Sequence, residues 1–513
     1  MDWLQHHLLS ILMLLPLTGA MFVLVAGPIR RVRQIALTTS LLTFTCSLLL
    51  PITFDRHVAG GAFQMVQAIS VTAPISLHYK VGLDGLSFPL VIFTTLVATL
   101  ALVASWNVAK EPRRYLALLL VLETTLLGTF VSLDFVCLWT FSTLTVLLIY
   151  FLTGFWGGAR RDYAAVKFAL FALIGSTALL VVLIEMYRLA HSFDLVALPA
   201  LIKSHLIAGH MTAHRSRALF LLAMFAFLTR LAVVPLHAWL PDLHAEAPVP
   251  IAMLVAALLP AAGGYGIFRI AYPLFPDAGR SLWLLIGGVG VATIIFAALC
   301  AMAQTELKPL IAYSGLAQNG LIVLGVAMMT PASMNGAIFM MVAGGITSGM
   351  LVIIAGIIHD RVHHGVLSRL GGLAGAMPWC WGFSAVALFA NVGLPGLCVF
   401  VGQILVLLGT FQAAHSDSIL IRAGAPARYL SAIGLIACSA IVLNAVYTLR
   451  TMRQVFFGPS RPEQTGLGDL SARDITVLTA FTVVAVSLGI LPSVVFFTFT
   501  DQTMIALLKL FCM

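Results

Sequence analysis

The chain has 513 residues, 61% of them hydrophobic and only 9% charged, with a mean hydropathy of +1.05 and a net charge of +9. A soluble domain carries about 25% charged residues, so this composition excludes an ordinary water-soluble fold. The apolar residues come in repeated blocks of about twenty, long enough to cross a hydrocarbon core of roughly 30 Å. Lipid offers backbone amides no partner, and the alternating polarity of barrel strands is missing, so the blocks read as membrane-spanning helices.

In chain order the predicted spans are 8–27, 35–53, 86–106, 115–132, 134–155, 165–188, 217–240, 248–272, 281–303, 309–328, 334–358, 378–412, 429–455 and 474–498. The expected fold class is all-α, a polytopic membrane protein of about fourteen transmembrane helices. Residues 1–7 precede the first block and no small-residue cleavage site follows it, which points to a retained span rather than a signal peptide. The connections 55–80 and 191–215 are longer and more polar than the rest. Basic clusters fall in odd-numbered connections: Arg30, Arg31 and Arg33; Lys110, Arg113 and Arg114; Arg160 and Arg161; Arg450, Arg453 and Arg461. The positive-inside bias puts those loops in the cytoplasm and both termini on the periplasmic side of a bacterial inner membrane. No basic stripe with interleaved aromatics suggests nucleic acid. Seven cysteines are scattered without a CxxC pair, so no metal or iron–sulfur site is expected.

Two predicted spans look interrupted. The seventh reads RLAVVPLHAWLP over 230–241, with Pro235 and Pro241, and the twelfth reads NVGLPG over 391–396. Proline removes an amide donor and clashes with the preceding turn, so each helix should break there. Prolines also merely kink many membrane helices. Two breaks five spans apart are nevertheless the pattern of a transporter built from two inverted five-helix repeats, here spans 4–8 and 9–13. That divides the chain into an N-terminal three-helix segment (1–110), a first repeat (111–275), a second repeat (276–460) and a C-terminal span (461–513).

Specific motifs support this reading. VGLDGLSFPLVIFTTL at 81–96 resembles the opening of the third span in antiporter-like M subunits of proton-pumping NADH–quinone oxidoreductase, respiratory complex I. VVPLHAWLPDLHAEAP at 233–248 is similar to the broken-helix motif of the wider family, and AQTELKPLIAYS at 303–314 to its loop into the tenth span. GGL at 371–373 and GLPGLCVFVG at 393–402 resemble the start and the break of its twelfth span. The chain stops soon after the fourteenth predicted span, which favours an M-type over an L-type subunit, whose resemblance would imply a lateral helix. The resemblance implies a chain without cofactors of its own, in which NADH, FMN, iron–sulfur clusters and quinone belong to partner subunits. It implies L-, N- and K-type neighbours in a lipid bilayer. A subunit of a multisubunit Na+/H+ antiporter, of an energy-converting hydrogenase or carbon-uptake complex, or a non-pumping scaffold would share the same broken helices.

Each ionisable group inside a membrane is expensive and needs a reason. The resemblance implies a proton relay with a glutamate in span 5, lysines in spans 7 and 8, and an acid or lysine in span 12. Those positions fall on Thr143, Arg230, Ala261 and Gln403 here, and two family histidines fall on Gly344 and Gln318. Threonine, alanine and glutamine do not titrate, and arginine essentially never releases its proton. The relay is therefore expected to be impaired. Other proton-path candidates are Glu123, Lys167, His237, His244, Glu246 and Lys308. Arg230 is expected to form a fixed ion pair with Glu123 or Glu246. Lys167 either titrates or buries its stem and reaches a helix end with its ammonium. His237 and His244 are either polar plugs at a helix break or ligands, while Asp84 and Asp134 are expected to cap helices. No nucleophile–base pair or phosphate loop is present, so redox chemistry is assigned elsewhere.

Overall fold

The structure, a computed structural model, describes residues 2–56, 61–72, 77–459 and 466–512. Arg461 and the 460/461 division lie outside these residues.

Every predicted span is helical. Spans 1 to 6 are Asp2–Val25, Ile29–Ser47 continued by Leu50–Thr53, Ser87–Ala104, Pro112–Val131, Phe135–Trp156 and Arg161–Ala190. Span 7 is split into 7a, Ala213–Leu231, and 7b, Trp239–Glu246. Span 8 is Val249–Gly266, carried through a π-helical turn, Ile267–Ala271, into Tyr272–Leu274. Spans 9, 10 and 11 are Trp283–Ala303, Leu307–Ala327 and Pro331–Val362. Span 12 is split into 12a, Pro378–Val392, and 12b, Cys398–Gln412; spans 13 and 14 are Ala427–Phe456 and Ala472–Ile490.

Three connections hold more than the sequence pattern suggests. The 55–80 connection, read as polar linker, carries an antiparallel hairpin of Gln64–Thr72 and Leu77–Leu83. The 191–215 connection holds a short helix, Leu198–Ile207. Span 14 stops at Ile490, because Pro492 cannot continue its ladder, and a separate apolar helix follows over Ser493–Leu510. Among the described residues thirteen helices are long and apolar enough to cross a membrane; these are the twelve continuous spans and Ser493–Leu510.

Five spans per repeat is an odd number, so span 9 starts at the membrane face opposite to span 4, and the two five-helix sets are inverted. The hairpin, the start of span 1, the end of span 14 and the N-terminal ends of spans 3, 5 and 9 share one face, the hairpin face. The clusters from Arg30 to Arg161 lie on the opposite, basic face. Spans 8 and 11 form the centre, 94% and 100% buried over their apolar windows, whereas spans 14 and 2 are only 28% and 33% buried. With no hydrophobic force between helices in lipid, close packing has to come from small side chains. Spans 9 and 10 meet at Gly290 and Gly320, where a Cβ on Gly320 would lie 2.7 Å from the Gly290 carbonyl oxygen.

Side chains bond to backbone groups at both breaks. At span 7 the Leu231 carbonyl accepts from Asn319 Nδ2 at 2.6 Å, and the Thr229 carbonyl from Trp239 Nε1 at 3.1 Å. Val234 N donates to Thr293 Oγ1 at 3.1 Å, so spans 9 and 10 of the second repeat hold open the break of the first. At span 12 the chain turns through Gly393, at φ 88°, and the Asn391 carbonyl accepts from Asn444 Nδ2 at 2.8 Å.

Gly320→Val should force spans 9 and 10 apart and cost about 1–3 kcal/mol, as overpacking does. A lowered thermal midpoint of the purified assembly is expected; an unchanged midpoint contradicts the close approach.

Candidate proton path

The interior of the second repeat is polar but neutral. Asn391, the last residue but one of 12a, is its hub. Its Oδ1 accepts from Gln318 Nε2 at 2.8 Å and from Ser314 Oγ at 3.2 Å, and its Nδ2 donates to Thr448 Oγ1 at 3.0 Å. Gln318 in turn accepts from Ser348 Oγ at 3.4 Å. Gly344, a position where the resemblance implies histidine, faces this amide: a Cβ there would lie 2.9 Å from Gln318 Oε1. Gln403 is 4% exposed, its carbonyl end turned to Gly393 and its Nε2 without a partner. A narrow cavity of about 20 Å³ reaches the hub from the basic face, between Leu307, Ser314, Asn391 and Tyr447, enough for about one water. Among the described residues no Asp, Glu, Lys, Arg or His is buried in spans 9–13.

The first repeat keeps its charges, with different partners from those expected. Arg230 is 2% exposed in span 7a, yet it pairs with neither Glu123 nor Glu246. Its Nη2 reaches Ser176 Oγ at 3.3 Å, and its Nε and Nη1 have no partner. Glu123 instead faces spans 2 and 3, where it accepts from Ser40. Glu246 stands at the far end of 7b and takes Arg160, with Nε 3.3 Å and the backbone N 2.9 Å from its oxygens. The break lets 7b swing away from 7a, which is why 7b carboxylates do not come back to Arg230.

Lys167 of span 6 meets Asp242 of 7b at 2.6 Å, with both side chains a quarter or more exposed. His237 lies within the break, its ring 4.9 Å from Phe296 and 6.2 Å from Tyr313, and its Nδ1 unpartnered. His244 is buried in 7b with neither nitrogen bonded. Lys308 opens span 10 and donates to the Ala245 carbonyl at 3.4 Å. The structure thus gathers Lys167, His237, His244, Glu246 and Lys308 around 7b, toward the basic face. Ala261 is fully buried in span 8, and Thr143 is half-buried with its hydroxyl unbonded.

Among the ion pairs that sequence reasoning missed, one is almost wholly buried. Arg269, in the π-helical turn of span 8, donates to both oxygens of Asp84 at 2.7 Å, with both residues almost wholly buried. Tyr265 OH accepts from Arg269 Nε at 3.2 Å, and the guanidinium lies over the Phe63 ring at 4.8 Å. Asp84 also accepts from Ser87 N at 3.0 Å, so it caps span 3 as expected while neutralising Arg269. Asp134 caps span 5 through the Val136 and Cys137 amides. An arginine inside an apolar span was itself a signal that a buried acid must face it. Asn391 gave no such signal, because an amide in an apolar helix costs far less than a charge.

Chemically, hydroxyls and amides orient water and pass a hydrogen bond along, but they do not store a proton near neutral pH. The buried interior of the second repeat, beyond Lys308 at the start of span 10, therefore offers no group on which a proton could rest. Arg230 adds a fixed positive charge in the first, which repels protons as arginines do in water-selective pores.

Comparison with known proteins gives this architecture a family. The family described as "NADH:quinone oxidoreductase/Mrp antiporter, TM" matches residues 132–425. The chain is 34% identical over 506 residues to NADH-quinone oxidoreductase subunit M of Rhodobacter capsulatus, covering 96% of this chain and 94% of that one. It is 32% identical to an NAD(P)H-quinone oxidoreductase chain 4 of a Synechococcus species, covering 98% and 93%. Among solved structures it is similar to a chain of respiratory complex I from Thermus thermophilus with bound NADH, at 25% identity and a TM-score of 0.85 over 98% of this chain and 99% of that one. The Mrp complex of a Dietzia species shares the fold at 20% identity and a TM-score of 0.82, over 97% of this chain and 52% of that one.

The two buried arginines should respond oppositely to methionine. Arg269→Met strands Asp84 as an unpaired buried charge, at a cost of about 3–5 kcal/mol. Arg230→Met removes a guanidinium that has no carboxylate, which should be neutral or stabilising. Thermal midpoints in the same lipid check this; equal losses contradict the assignment.

Proposed function

Because the chain belongs to the antiporter-like family of NADH–quinone oxidoreductase membrane subunits, we propose that it is an M-type membrane-arm subunit whose own proton path is closed. Its role is in coupling NADH-to-quinone electron transfer to proton translocation, as part of an enzyme complex. NADH, FMN, the iron–sulfur clusters and quinone sit in partner subunits on this reading, and the proton path is what this chain's residues bear on. L-, N- and K-type subunits are its neighbours, and its sparsely covered spans 2 and 14 have surface to offer them or lipid. The basic face is cytoplasmic and both termini are periplasmic in a bacterial inner membrane, from the arginine and lysine clusters. The working units are the N-terminal segment 1–110, repeats 111–275 and 276–460, and the C-terminal segment 461–513.

One observation carries the closed-path reading: the buried polar residues described in spans 9–13 are all neutral. A relay needs groups that both accept and release a proton. The positions where the resemblance implies such groups are Thr143, Arg230, Ala261 and Gln403, and none exchanges a proton at neutral pH. Lys167, His237, His244, Glu246 and Lys308 remain as a titratable cluster near the basic face, a vestibule without an exit.

The test is the ratio of protons translocated per NADH in proteoliposomes holding the intact complex. The native ratio should fall below that of the variant carrying Thr143→Glu, Ala261→Lys and Gln403→Glu. A native ratio equal to that of a complex with every antiporter-like subunit pumping would refute the closed path and leave the family assignment standing.

A further inference from the structure

Span 4 carries a buried carboxyl away from the axis of the two repeats. Glu123 is 1% exposed in the seam where spans 2 and 3 pack against span 4. Its Oε2 accepts from Ser40 Oγ at 2.9 Å, and Ser40 Oγ is 3.0 Å from Thr99 Oγ1. Its Oε1 has no hydrogen-bond partner, and none of the ion pairs among the described residues includes it. The charged or imidazole side chains described on span 4 and the elements packed against it are His7 of span 1, Arg30, Arg31 and Arg33 of span 2, Lys80 of the hairpin, Arg113 and Arg114 of span 4 itself, and Asp134 before span 5. They stand at the span ends, and none bonds to Glu123.

Hydroxyls continue from this carboxyl toward the hairpin face. Ser40, Thr43 and Ser47 occupy one stripe of span 2, three and four residues apart, and all three are fully buried. At the far end Ser47 Oγ meets Thr95 Oγ1 of span 3 at 2.8 Å, one helical turn from Thr99. On the other side of span 4, a cavity of about 410 Å³ opens beside the hairpin, between His7, Ser10, Gln67 and Tyr79. Its floor is Thr124, the residue next to Glu123.

We propose that Glu123 is a proton-binding site, loaded from the hairpin face along the Ser47, Thr43, Ser40 and Thr99 hydroxyls. Ser47, Thr43 and Ser40 bond to Thr95, to the Thr39 carbonyl and to Thr99 rather than to one another, so water bridges the steps between them; each hydroxyl accepts a proton on a lone pair and passes on its own, and none changes charge. The last transfer, from Ser40 to Oε2, turns the carboxylate into the carboxylic acid; unloading reverses the order. A carboxylate with no cation beside it in an apolar seam is costly, and the proton removes that charge. The site ends blindly at mid-membrane, so it stores a proton without conducting one. It involves no residue of spans 5–14 and stands independently of the closed path between the repeats.

Isotope-edited infrared spectroscopy of the intact complex tests it. A carboxylic-acid C=O band is expected that Glu123→Gln removes and Ser40→Ala, which keeps the carboxyl, shifts in frequency. Its deuterium shift should develop an order of magnitude more slowly in the Thr43→Val, Ser47→Ala double variant. If Glu123→Gln removes only carboxylate bands at every pH where the complex stays intact, Glu123 is a helix clamp and the proposal fails. Deuterium exchange unaffected by loss of the two hydroxyls would overturn the loading route.

Discussion

A charge surrounded by hydrocarbon must be paired, hydrated or dispensed with, and the interior of this protein is arranged by that constraint. At the hairpin face Arg269 is paired, held by both oxygens of Asp84. Around 7b, Lys167, Glu246 and Lys308 keep company with Asp242, Arg160 and a backbone carbonyl near the basic face. In the buried interior of spans 9–13 the charges are dispensed with, and amides and hydroxyls take their place around Asn391. Arg230 is the exception, a buried cation with a single hydroxyl for company.

The same constraint explains how the scaffold is held without titratable groups. Breaking a helix in lipid frees backbone amides and carbonyls that need partners. Asn319, Thr293, Trp239 and Asn444 supply them, and none is ionisable. The discontinuous helices are thus held by neutral side chains, independently of any proton relay. Replacing the relay residues leaves these bonds in place, so a subunit can keep its shape and its seat in an assembly after its path closes. Asn319 and Thr293 belong to the second repeat while the break they hold belongs to the first, so the repeats are locked together at that point.

What the sequence disclosed follows the physics of each feature. Spans were legible because hydropathy is a local property, and the breaks because Pro235 and Gly393 act on their own turns. Charge partners were not legible, since Asp84 and Arg269 are 185 residues apart and Lys167 and Asp242 are 75 apart. The expected Arg230 pair failed for that reason: proximity in the helix list did not tell which way 7b turns after the break. The hairpin was hidden because Gln64–Thr72 mixes polar and β-branched residues in a stretch that reads equally as linker. The helix over Ser493–Leu510 was merged with span 14, although Pro492 marked the division.

The central claim is electrostatic: the second repeat has no resting place for a proton between its two faces. A density map of the intact complex fine enough to resolve ordered water tests this most directly. The account predicts water in the cavity between Leu307 and Asn391, and a dry, amide-blocked stretch between the hub and Gln403. A continuous file of waters from the basic face through Asn391 and Gln403 to the hairpin face would contradict it.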